Sequence, residues 1–275
     1  MKRIILRIIL PILIVLALGT GAYTLFFTPA EFRTQANPAP LCQSPIFDKS
    51  AMVFDAVLIC GTSKVPAEKL VHAANVAAEW LDNDEDGMVD DAGLHETLIA
   101  NKPVVIMSFN GIPMVQMPSI FSAFSAHTSQ DLSAQETNNP TRRDASQEEI
   151  HHVIMNAGWT KLLPSVFSDV VSEQSDLYQI WKFANDNGYY AYNDPTCDAS
   201  CKVTEFVYLA TAAYLGSEAD LHSDELRLKT RDALQETIPD IITLFESSDY
   251  VYPTNHWPDG VYPHSQHIDY VGIGQ

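Results

Sequence analysis

Hydrophobic positions follow three different rhythms along the chain. Residues 8–27 form an apolar run of 20 residues, interrupted only by Pro11 and Gly19-Thr20-Gly21. Shorter β-branched and apolar stretches at 53–60 and 104–107 predict strands, with 111–116 extending the same sheet. Elsewhere the spacing is helical. After Pro66, a residue suited to a helix start, Leu70, Val71, Ala74, Ala77, Ala78 and Leu81 recur on one face and predict a helix over 67–81. Further helices are expected over 94–100, over 146–157 with Gly158 as its stop, and over 177–184. Two more are expected, over 203–215 before Gly216 and over 224–237 with Ser223 as its cap. The polar segment 128–143, with Asn138-Asn139-Pro140, reads as a surface loop, and the Tyr-, Pro- and His-rich tail from Tyr250 as irregular. There is no internal repeat. Strands mixed with helices, followed by helices alone, predict an α+β fold, predominantly helical, with a small N-terminal sheet.

The long apolar run is of a different kind. Twenty residues at ~1.5 Å each match a bilayer core of ~30 Å. Lys2, Arg3 and Arg7 crowd its N-terminal side with no acid among the first thirty residues. By the positive-inside rule that end stays cytoplasmic and the chain from about residue 31 is exported. Thr20-Gly21-Ala22 is a weak cleavage site and apolar residues follow it, so an uncleaved anchor is preferred over a removed signal peptide. The organisation expected is an anchor or signal over 1–27, a linker over 28–41, and one exported domain over 42–275. Within that domain, 42–145 carry the sheet and an acidic loop, and 146–275 are helical. The domain would be periplasmic or extracellular, held to the membrane through the N-terminal helix, or secreted if the signal is removed.

Composition sharpens this. The 275 residues are 46 % hydrophobic and 19 % charged, which fits a globular domain and excludes wholesale disorder. Sixteen basic residues face 35 acidic ones, a net charge of −19 that repels phosphate backbones and excludes nucleic acid as a natural partner. The same field suits cations. The four cysteines, Cys42, Cys60, Cys197 and Cys201, are an even set outside the cytoplasm and predict two disulfides. Pairing Cys42 with Cys60 and Cys197 with Cys201 closes the shortest loops, although three connectivities are open.

Two stretches carry chemistry. Asp82-Asn83-Asp84-Glu85-Asp86-Gly87-Met88-Val89-Asp90 matches the first nine positions of an EF-hand-type loop. Asp82, Asp84 and Asp86 supply the alternate carboxylates, Gly87 the turn, Met88 a backbone carbonyl and Asp90 the ninth position. Gly93 stands at position twelve, where a bidentate Glu is usual, and Glu96 is the nearest later acid. A structural Ca²⁺ site is expected; a solvated acidic turn between two helices is the alternative.

The second stretch is Ser146-Gln147-Glu148-Glu149-Ile150-His151-His152. Against the metallopeptidase pattern His-Glu-x-x-His it differs only at the first position, where Glu148 replaces His. On a helix Glu148 and His152 are i and i+4, about 5–6 Å apart on one face, and both side-chain types are zinc ligands. Glu149 then occupies the place of the general base. The simpler account is a Ser146/Glu149 capping box with a core histidine. A third ligand is required. Glu205, expected in the first turn of an otherwise apolar helix, is the preferred candidate because an unpaired acid is costly there and Cys197–Cys201 would brace its approach. His256, His264 and His267 are rivals, and His256, His264 or Tyr262 are candidates to stabilise an oxyanion. A di-iron site would need a second Glu-x-x-His on another helix, and the chain has none outside 148–152.

Three segments together, 78–87, 148–152 and 194–205, resemble a group of secreted proteins of largely uncharacterised activity, over roughly residues 45–265. The wider resemblance, through Glu149-x-x-His152 and Glu205, is to zincin metallopeptidases of the Glu-ligand type. It implies a zincin-like domain with His152 and Glu205 on Zn²⁺, Glu149 as base, and a protein or peptide substrate, to which the helical spacing adds Glu148 as the remaining ligand. Glu148 departs from that family's pattern. The rival expectation is a non-catalytic, Ca²⁺-stabilised module that binds a protein partner.

Overall fold

The computed structural model describes residues 40–42, 46–217, 221 and 223–273. The apolar run at 8–27, and with it the anchor and most of the linker, lies outside the described residues. Among those described, no helix is long and apolar enough to cross a membrane.

The protein is α+β, built on one mixed five-stranded sheet. Strands β1 (Phe47–Val53) and β2 (Val57–Thr62) form a hairpin; β3 (Val104–Ser108) and β4 (Ser129–Ser133) follow, and β5 (Ile268–Val271) comes from the tail. The order is β4-β3-β2-β1-β5. β2, β3 and β4 run parallel, while β1 is antiparallel to both β2 and β5. Two-residue alternation is preserved in the central strands, but both faces are buried, so the strands read as continuous apolar runs. Val57, Ile59, Val105 and Met107 join the main core with helices α1 (Ala67–Leu81), α4 (Ala145–Ile154) and α6 (Ala199–Leu215). Leu58, Cys60, Val104 and Ile106 face a smaller cluster containing Ile120 and Phe124 of α3 (Met117–Phe124). The Cys42–Cys60 disulfide pins the turn Pro40–Cys42 to β2, and Cys197–Cys201 closes the entry to α6; both expected pairs form.

Several expected elements fall elsewhere. The stretch 53–60 is not one strand but a hairpin, because Phe54 and Asp55 turn with positive φ between β1 and β2. Residues 111–116 do not extend the sheet. Its edge is β4, inside the segment expected as a loop, where Leu132 alone is fully buried. Helix α2 (Ala92–Asn101) is capped by Asp91. Gly158 does not stop the helix it was assigned to. α4 passes into a π-helical segment, Met155–Trp159, and a Cβ at Gly158 would lie 2.5 Å from the Leu94 side chain of α2. α5 (Asp176–Asp186) is slightly longer than expected. Ser223 caps nothing: α7 (Arg231–Thr237) is capped by Thr230, and α8 (Pro239–Phe245) follows it directly. The sheet is N-terminal in the main, yet β5 closes it beside β1.

Candidate metal centres

The acidic loop leaves α1 at its C-terminus. Asp82 is fully buried there: its carboxylate accepts the Asp86 amide at 3.1 Å, the Gly87 amide at 2.9 Å, and the Tyr262 hydroxyl. Asp84 accepts from the Asp86 amide and Asp86 from the Met88 amide, successive side-chain turns that curl the loop inward. Gly87 sits at φ 91°, which a Cβ would strain. Carboxylate oxygens of Asp82, Asp84 and Asp90 lie within 4.8 Å of one another, so three of the five expected ligands converge. Asp86 is not in that set; it holds the Met88 amide. Burial and the Asp84, Asp82 and Asp86 charges push Asp90 up to about 6, partly offset by the Asn83 amide. Gly93 lies inside α2, so position twelve offers no side chain, and Asp91 is occupied by the Leu94 and Val251 amides.

The tail wraps this loop. Asn83 accepts the Asn255 and His256 amides and donates to the His256 carbonyl; His264 meets the Glu85 carbonyl at 2.9 Å. His256, His264 and Tyr262, the oxyanion candidates, are therefore all placed at the acidic loop, and the ligand atoms that gather round His152 are those of Glu148 and Glu205.

The second cluster joins two helices. The N-cap of α4 is Asp144, which accepts the Ser146 amide and hydroxyl, so Ser146 caps nothing and the capping box of the alternative account is not formed. Glu149, released from that role, receives the Gln130 amide group from β4 and stands 3.8 Å from His152 Nδ1. α6 begins at Ala199 with Asp198 as cap, four residues earlier than expected, which moves Glu205 from the first turn into the buried second turn. It arrives 3.6 Å from His152 Nε2. Ligand atoms of Glu148, His152 and Glu205 all lie within 4.8 Å of one another, and all three residues are buried. Two ligands ~2.0–2.1 Å from a tetrahedral zinc ion stand ~3.4 Å apart, so the His152–Glu205 spacing is close to what the ion requires. His152 Nε2 is buried and has no hydrogen-bond partner. An orphaned buried imidazole nitrogen between two carboxylates fits a cation.

Electrostatics describe the same frustration. Burial pushes Glu148 up to about 8, with Glu205 and Glu149 adding to the rise and His152 and Arg143 resisting it. Burial opposes charge on His152, yet Glu149, Glu205 and Glu148 together raise its pKa. His151 beside it is held well below the usual range by burial and by His152; it faces Tyr252 at 3.1 Å and the Trp80 ring, a core role.

Residues the sequence did not single out complete the site. Arg143 pairs with Glu148 at 2.6 Å. Tyr190 is buried with its hydroxyl unpartnered, and its pKa is raised by burial and by Glu205; the same causes push Tyr192 up to about 12. A cavity of about 540 Å³ between α5 and α8, lined among others by Asp176, Ile180, Phe183 and Tyr250, includes none of these ligands. Neither protein-family models, nor curated proteins, nor solved structures give a match to this chain.

Proposed function

We propose that the chain is an exported, membrane-anchored, zinc-dependent hydrolase of the metallopeptidase type, with a zincin-like domain stabilised by Ca²⁺ in the acidic loop. The observation that supports this best is the unpartnered, buried Nε2 of His152, 3.6 Å from Glu205 with Glu148 beside them. Glu148, His152 and Glu205 would hold the Zn²⁺. Such an ion, when bound, supplies a Lewis acid for a carbonyl oxygen and favours ionisation of water. Glu149 takes the proton of the attacking water on its carboxylate, and Gln130 holds that carboxylate in place. Tyr190 and Tyr192, whose hydroxyls feel the Glu205 charge, are the candidates to donate toward developing negative charge. The substrate class is a peptide or protein amide.

One contact favours the non-catalytic reading. Arg143 lies 2.6 Å from Glu148 and works against the rise in its pKa, so the cluster has a metal-free electrostatic account, as a polar network in a Ca²⁺-stabilised module that meets a protein partner. Elemental analysis of the mildly purified chain, paired with hydrolysis of a mixed peptide library, separates the two. The hydrolase reading requires one Zn²⁺ lost in His152→Ala, and a Glu149→Gln variant that keeps the metal and loses ~10²–10⁴ in rate. No metal at Glu148/His152 and no cleavage would leave the binding module.

A further inference from the structure

A third group of ligand-type side chains, sharing no ligand with either centre, lies beside the acidic loop where the tail crosses the end of α1. Glu79, one turn before Asp82, is completely buried. Its two oxygens accept the Gly260 and Val261 amides, each at 2.9 Å, which leaves further lone pairs on both. Glu85 projects from the acidic loop at a left-handed φ of 56°, its carbonyl facing His264. His256 has both its backbone amide and its carbonyl held by Asn83, so the ring is positioned from its own main chain. Its Nε2 stands 3.6 Å from Glu85 Oε1, is shielded from solvent, and has no hydrogen-bond partner. Ligand atoms of all three lie within 4.8 Å of one another.

We propose that Glu79, Glu85 and His256 form a separate site for a divalent transition-metal ion of the zinc class, clamping the tail onto the end of α1 beside the Ca²⁺ loop. Glu79 is fixed by the two tail amides and His256 by its main chain, and the one contact among the three side chains is the 3.6 Å approach of His256 to Glu85. The 3.6 Å between an imidazole nitrogen and a carboxylate oxygen is the same spacing found between His152 and Glu205, and again near that of two ligands on one tetrahedral ion. One nitrogen with two carboxylates selects zinc-like ions over Ca²⁺, which prefers an all-oxygen shell. This site does not depend on the hydrolase reading, because it shares no residue with the Glu148 cluster.

The test is a metal count on the full chain in saturating Ca²⁺, by calorimetric titration with Zn²⁺ and by the visible spectrum with Co²⁺. His256→Ala, at a half-buried position, should lower the bound transition metal by one equivalent, or weaken it by ~10²-fold or more, whatever the Glu148 cluster holds. Glu79→Gln keeps the shape of the side chain and should weaken the same equivalent; circular dichroism reports whether either variant is folded. His152→Ala should leave that equivalent in place, so failure of one site is distinguishable from failure of the other. A count unchanged in His256→Ala, or a Zn²⁺ signal displaced by Ca²⁺ one for one, would overturn the proposal.

Discussion

The two carboxylate-rich centres described first differ in how the chain encodes them. The acidic loop takes its ligands from nine consecutive residues, and its shape comes from side chains bonding amides two to five positions on. The Glu148, His152 and Glu205 cluster is assembled by two helices and braced by β4 and Arg143. One is local and in part wet; the other is non-local and buried. Loss of the exposed loop ligand Asp84 leaves the bonds made by Asp82 in place, whereas the buried cluster loses its charge balance with any ligand. The two should therefore respond differently to substitution.

The sharpest break is expected at the helices. His152→Ala removes the orphaned imidazole and leaves Glu148 and Glu205 facing each other, so zinc content should fall to nothing at this centre while Ca²⁺ binding persists. Next in size is the loop. Asp82 satisfies two backbone amides and the Tyr262 hydroxyl, so Asp82→Ala should cost about 3 kcal/mol or more even in chelator, measured by denaturant unfolding. Asp84→Ala, exposed at its side chain, should instead lose only the Ca²⁺-dependent part, ~1.4 kcal/mol at tenfold excess over Kd. Equal losses for Asp84→Ala with and without Ca²⁺ would reduce the loop to a helix-end turn.

A pH series tests the charge frustration itself. Glu79 and Glu148 are each raised to about 8 in the folded chain, so between about 4.5 and about 8 the native state binds more protons than the unfolded one. Stability of the metal-free chain should therefore fall as pH rises through that window, and the raised His152 adds to the fall. His151, held neutral by burial, opposes it below the ordinary histidine range. Zn²⁺ should flatten the slope; a melting temperature that climbs from pH 5 to pH 8 in chelator would contradict these assignments. The smallest effect belongs to Arg143. Its pair with Glu148 is part exposed and worth ~1 kcal/mol, so Arg143→Gln should tighten zinc by about fivefold, read by competition with a chelating dye.

The same contrast explains what could be read in advance. Helix α1 falls where its periodicity and Pro66 put it, because apolar spacing is local information. The loop was legible for that reason too. The β4 strand was not: Ser129-Gln130-Asp131-Leu132-Ser133 lies at a sheet edge, buries one apolar side chain, and shows no alternation to detect. At the start of α4 only Ser146 was read as a cap; the structure uses Asp144, which frees Glu149 to meet Gln130. At α6 the cap at Asp198 rotated Glu205 into the interior. Its meeting with His152 depends on how α4 and α6 pack, which no spacing along the chain records. Arg143 and Gln130 carry no motif at all.

The position of β5 has a consequence for how the chain reaches this state. β1 pairs on one side with its hairpin partner β2 and on the other with Ile268–Val271, from the far end of the described chain. Until that segment is available, one edge of β1 presents bare amides and carbonyls, an invitation to pairing with another molecule. The acidic loop likewise waits for Tyr262 and the Asn83 contacts to the tail. Assembly should then be slow and late, dominated by contacts of high sequence separation. Nascent chains released without the tail should associate through β1 instead of folding.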